Sequence, residues 1–385
     1  MIFAEPLGPG HVARQRICRA GESLVWATYR RTFHYAVDGL DRLGAPSRSL
    51  LTRGVSAVGR GAGSLALTAL GGGGDTADDK APAADHVVFG RSSGSLAPSA
   101  MARFTPGARV ERLWALTSDR LVVAERAAAP APASEEKSFL GKAIGFGREV
   151  GKILADHRRR YGEHVEGEPV DVPDFEVVLE FPRDRIASAE PGRVTLVDGS
   201  GVELPSASPT PVADDVVVRE LTEFWLRRGE RLVLGLPPVV GHVGGVVGGA
   251  LHVPWTAAGP MPAVELDKSR WPLPAPPSPP DWVDDPTLGY WVEAPSATSA
   301  AVSLADHFAF SRGNARLAVS DQRVAVVYPT HLFEAKPSSV FTTFAEVPRG
   351  AVRSVENTHA GFSLPARPVV RLTFADGSAL AARRP

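Results

Sequence analysis

The sequence lacks most of the groups whose chemistry is easy to read. One cysteine, Cys18, stands in 385 residues. That excludes intrachain disulfides and cysteine-rich metal sites, and it fits a reducing cytoplasm. Neither sign of charge is in excess: 42 Lys and Arg against 43 Asp and Glu leave −1 at pH 7. A general nucleic-acid binder carries a strong basic surplus, so no nucleic-acid partner is expected. The longest weakly charged stretch, residues 232–255, is broken by Gly, Pro and His. It reads as a strand and a Gly-rich loop, not a membrane span. Met1–Gly10 has no basic start and no apolar core, so no secretory leader is expected and the expected location is cytoplasmic.

Glycine (38) and proline (34) are plentiful, which favours short strands and many turns. The length suffices for two or three domains, each with its own core. The expected class is mainly β with a few helices. Gly8–Ala20 reads as a short helix. Asp214 or Asp215 caps a second, running to about Arg228, with Val217, Leu221, Phe224 and Trp225 as its stripe. Ser138–Tyr161 is the clearest helix, opened by Ser138 and closed by three arginines. Residues 47–70 alternate apolar residues with Arg, but several Gly weaken a helix there.

Four anchors occur twice in the same order. Gly21-Glu22 with Leu24-Val25 matches Gly229-Glu230 with Leu232-Val233. Thr117, Arg120 and Leu121 match Ser320, Arg323 and Val324. Pro182, Arg183, Ile186 and Ser188 match Pro348, Arg349, Val352 and Ser354. Thr195, Asp198, Gly199 and Ser200 match Thr373, Asp376, Gly377 and Ser378. A repeat of this period means two domains, not a solenoid. Its parts read as a hairpin ending in Arg, a strand opened by Pro-Arg, and a hairpin whose Gly takes positive φ. Arg120, Arg323, Pro182, Arg183, Pro348, Arg349, Gly199 and Gly377 are therefore expected to be structural.

On these residues the sequence resembles the bacterial pleckstrin-homology-like and GRAM-type domains. The resemblance implies two tandem small antiparallel β-barrels, the first closed by the C-terminal helix at Asp214–Arg228. It gives a first domain at 1–228, with insertions at 47–70 and 138–161. The second is at 229–385, with a Gly/Pro-rich insertion at 236–288. The second copy has no matching helix, and the helix Gly8–Ala20, or another chain, is expected to cover it.

No catalytic constellation emerges. Gly90-Arg91-Ser92-Ser93-Gly94 matches the G-x-S-x-G pattern, but Leu96-Ala97-Pro98 reads as a poor start for the helix a nucleophile elbow needs. The ten histidines lack metal spacing, so neither metal nor cofactor is expected. Asp281, Asp284 and Asp285 sit in a Pro-rich stretch and read as a solvated patch.

The expected function is non-enzymatic: a binding or scaffold protein whose modules engage a protein partner or a membrane surface. A structural subunit of a larger assembly is the alternative, and a serine hydrolase using Ser92 a remote one. The candidate surface is the amphipathic insertion, with Phe139, Lys142, Phe146, Arg148, Lys152, Arg158, Arg159 and Arg160. Such a segment can lie in a membrane interface or pack on its own domain. The oligomeric state stays open.

Overall fold

The computed structural model describes residues 6–47, 84–126, 160–161, 164–205, 214–264, 266, 271–276 and 279–384. In the first half, helix α1 (Pro9–Arg16) precedes β1 (Leu24–Arg30), β2 (Phe33–Val37) and β3 (His86–Gly90). Helix α2 (Leu96–Met101) leads to β4 (Arg112–Thr117), β5 (Arg120–Arg126), and the short β6 (Arg160–Tyr161) and β7 (His164–Val165). β8 (Phe175–Pro182), β9 (Ile186–Glu190), β10 (Arg193–Leu196) and β11 (Gly201–Glu203) follow.

The second half repeats this order with β14 added and, among the described residues, without a counterpart of β6 and β7. Helix α3 (Asp215–Phe224) precedes β12 (Leu232–Leu236), β13 (His242–Val247), β14 (Ala250–His252) and β15 (Leu288–Ala294). Helix α4 (Ala300–Ser311) leads to β16 (Arg316–Ser320), β17 (Arg323–Pro329), β18 (Phe341–Pro348), β19 (Val352–Ala360), β20 (Arg367–Phe374) and β21 (Ala379–Arg383).

Each half holds two facing sheets. Their strand orders are β1-β4-β5-β8 and β2-β3-β11-β10-β9, then β12-β16-β17-β18 and β14-β13-β15-β21-β20-β19. The protein is thus mainly β, as the turn-rich composition implied. Among the described residues these sheets are open, where closed barrels were expected. After Pro182 and again after Pro348, a single 3₁₀ turn (Arg183–Arg185, Arg349–Ala351) carries the chain from one sheet to the other. Among the described residues, β9 and β19 then pair only with β10 and β20, and the outer edges of β8 and β18 carry no strand.

The apolar pattern explains the packing. In β4, Trp114 and Leu116 face the first core with Trp26, Phe33, Leu121 and Leu196. Leu113 and Ala115 point to the opposite face, against Val12, Ala13 and Ile17 of the α1 region. A sheet covered on both faces reads as an unbroken apolar run, and β4 is buried throughout.

The same rule corrects both helix assignments. Val217, Leu221 and Trp225 pack on Ala318, Ala325, Val327 and Phe341 of the second half. The helix expected to close the first domain therefore covers the second, and α1 covers the first rather than the second. An amphipathic stripe demands burial but does not name its partner. Each helix sits just ahead of an edge strand, β1 or β12, and folds back over that strand's sheet.

The stretch read as a Gly/Val loop forms β13 and β14. β13 pairs in parallel with β15, and Gly244 and Gly245 lie where any side chain would collide with Trp291 and Val292. Close approach, not flexibility, requires glycine there.

Candidate functional site

The twin arginines are anchors. Arg120 is buried, and its Nε donates to Glu22 Oε1 at 2.7 Å, its Nη1 to Glu180 Oε2 at 2.7 Å and its Nη2 to the carbonyl of Ile17 at 2.8 Å. Arg323 repeats this with Glu230 (2.9 Å), Glu346 (2.8 Å) and the carbonyl of Trp225 (3.3 Å). Each ties the end of a leading helix to the hairpin that carries it, β4–β5 in the first half and β16–β17 in the second. The Arg120 hydrogen bond holds the Glu22 carboxyl below its ordinary range. Burial alone would raise Glu230, but bonds from Arg323 and the Arg227 amide outweigh it and the net direction is down.

The other repeated residues also hold the frame. Thr117 Oγ1 accepts from the Arg120 amide and Ser320 Oγ from the Arg323 amide, both at 3.1 Å. The Arg183 amide donates to the Asp119 carbonyl at 2.7 Å and the Arg349 amide to that of Gln322 at 2.8 Å, at the corners that Pro182 and Pro348 open. Gly199 (φ 80°) and Gly377 (φ 84°) take the left-handed turn positions. Their neighbours do a task invisible in local sequence. Asp198 accepts from the Leu96 amide (2.6 Å) and Ser200 from that of Ala97 (3.0 Å), so the turn caps α2. Asp376 and Ser378 cap α4 in the same way, at 2.7 and 3.2 Å.

Ser92 lies between β3 and the start of α2, so a helix does begin there. Its hydroxyl lies 3.5 Å from Ser95 Oγ. Ser296 and Ser299 repeat the pair at 3.4 Å, which makes it a feature of the duplicated turn. Among the described residues no group of His, Cys, Asp and Glu is arranged to hold a metal ion. No described helix is long and apolar enough to cross a membrane. Phe139, Lys142, Phe146, Arg148, Lys152, Arg158 and Arg159 lie outside the described residues. Arg160 pairs with Val165 in the β6–β7 ribbon.

The unforeseen chemistry lies where the halves meet. Asp281, Asp284 and Asp285, read as a solvated patch, are buried at 0, 2 and 2% exposure. Arg14 of α1 pairs with Asp281. Asp285 accepts from the amides of Ala275 (2.7 Å) and Thr287 (2.8 Å). The Gly10 amide donates to Ser363 Oγ (3.0 Å), which donates to Asp284 Oδ1 (2.6 Å). Burial pushes the Asp284 carboxyl up to about 6; the Ser363 bond opposes this and the Asp281 charge adds to it. Burial likewise pushes the His11 imidazole down, with Asp285 and Asp281 pulling the other way.

Beside this cluster, β1 has acquired a neighbour from the other half. The Ala27 amide donates to the Phe362 carbonyl and the Leu364 amide to the Ala27 carbonyl, both at 2.7 Å. Thr28 Oγ1 donates to the Leu364 carbonyl at 2.8 Å. Residues 362–364, in the loop between β19 and β20, thus run parallel to β1 at its open edge.

No family model, curated protein or solved structure matches the chain.

Proposed function

We propose that the protein is a non-enzymatic binding or scaffold protein, made of two pleckstrin-homology-like modules, that engages a protein partner. The observation that carries this reading is the uptake of residues 362–364 by the edge of β1. Main-chain pairing at an exposed edge is how many domains bind extended peptides, and here the fold does it within one chain. The order of β4, β5 and β8, a Pro-Arg corner, then β9, β10 and β11 supports the module reading. So does its recurrence in the second half.

The junction supports a scaffold. Hydrogen bonds from Gly10, Ala27 and Thr28, with the Arg14–Asp281 pair, cross between the halves. Such bonds hold two modules at one spacing and orientation.

The test is capture of binders from the native cell with the full chain. Each recovered protein is then purified and titrated by calorimetry. Saturable binding of a purified partner is expected. Sedimentation with anionic vesicles in the absence of any protein partner, with no protein titrating, would overturn the reading.

A further inference from the structure

The two halves carry the same edge-strand groove, and one is filled. Three correspondences align them. Arg120 bonds the carbonyl of Ile17 and Arg323 that of Trp225, which sets α1 against α3. β1 is bulged between Leu24 and Trp26, and β12 between Leu232 and Leu234. Ala27 then stands opposite Ala115, as Gly235 stands opposite Ala318.

In the first half this place is occupied. Ala27 uses its outward amide and carbonyl on Phe362 and Leu364. Gly10 of α1 holds Ser363, and the Arg14 guanidinium lies 4.9 Å from the centre of the Phe362 ring. Helix and edge strand together form a slot for an extended apolar segment.

In the second half, among the described residues, the same slot is an open groove of about 420 Å³. Val218, Thr222 and Leu226, on and just past α3, form one wall, and residues 232–235 of β12 the other. Among the described residues, the Gly235 main chain has no partner on that side. A side chain at Gly235 would collide with Leu221 and press tightly on Val217, so the helix lies close over the strand there. Arg384 and Arg231 reach the rim, where Arg231 pairs with Asp321 and Arg384 Nη1 donates to Asn357 Oδ1. The groove's carboxylate, Glu230, is held by Arg323. With these charged groups engaged within the chain, the lining favours an apolar segment.

The geometry points to the groove between α3 and β12 as the docking site for an extended, apolar segment of a partner protein. This segment pairs with Gly235 as residues 362–364 pair with Ala27. The inference rests on the protein-binding reading above and assigns its site. Two departures bound the likeness. Leu236 stands where Thr28 donates its hydroxyl, and Thr222 where Arg14 meets the ring. The partner is thus held by main chain and apolar contact, without those two polar contacts.

The probe is a fluorescent peptide, Gly-Phe-Ser-Leu-Pro, which keeps the order of residues 361–365. Its anisotropy is followed with the full chain and with Thr222→Glu and Leu226→Asp. Thr222 is exposed, so its variant is expected to fold, and circular dichroism checks both. Saturable binding is expected, weakened roughly tenfold or more in each folded variant. Binding that both variants keep, or none to the parent chain, overturns the inference. If a purified natural partner still binds both variants at full strength, the site is wrong while the protein-binding reading stands. Protection of the 232–236 amides that grows with protein concentration, without peptide, would make a second copy the occupant and also overturn it.

Discussion

Ala27 and Gly235 hold the same place in the two halves, each just beyond a β-bulge on an edge strand. One is bonded outward to Phe362 and Leu364, and the other faces a groove. The two halves thus share a frame and differ in what lies against it. Strand edges left open invite pairing, and the bulges at Val25 and Val233 twist both edges where they begin.

The buried arginines are expected to be the most sensitive frame residues. Arg120→Met leaves the Glu22 carboxylate, 2% exposed, without its partner, and Arg323→Met does the same to Glu230. Loss of one member of a buried pair costs about 3 kcal/mol or more. Urea unfolding should show that loss for each variant. Arg120→Met with Glu22→Met should cost clearly less than the two single changes added together.

Asp284 should give stability an unusual pH dependence. Its carboxyl rises from 3.8 to about 6 on folding, so the native state holds the proton more tightly than the unfolded chain. Its favourable contribution is complete below about pH 4 and is lost as pH rises through about 6. Ser363, Asp281, Arg367 and the Phe362 amide are the groups that act on it. In melts from pH 4 to 7, Asp284→Asn should gain on the parent chain as pH rises, by at most roughly 3 kcal/mol. A constant difference would contradict the assignment. Comparing the two proteins removes the opposite trend from carboxyls held low, such as Glu22.

The helix caps should be equivalent in the two halves. Asp198→Ala removes the acceptor for the Leu96 amide, and Asp376→Ala that for Ala300. Each should cost about 1 kcal/mol by chemical denaturation. Each should also raise amide exchange in the first turn of its own helix.

Ser363→Ala tests the join. It leaves the Gly10 amide and Asp284 Oδ1 without the hydroxyl that links them. A buried polar group stripped of its partner costs about 1–3 kcal/mol. Unchanged stability would mean that this link does not hold the halves.

What could be read in advance was what local chemistry encodes. Thr117, Arg120, Asp198 and Gly199 shape their own turns, so their repetition exposed the likeness of the two halves. The covering of each half was hidden, because the stripe of Val217, Leu221 and Trp225 fits any apolar sheet. The acids were misread because their burial depends on Arg14 and Ser363, far away in sequence. β13 was hidden because Gly244 and Gly245 are demanded by Trp291 and Val292, which only the fold brings near. The groove beside β12 has no local signal, since it is defined by a contact made in the other half.

The most direct measurement is native-state hydrogen exchange at two amides of the free chain, Ala27 and Gly235. With one edge occupied and its twin open, Ala27 should exchange slowly and Gly235 much faster. Equal protection at the two positions would contradict the account.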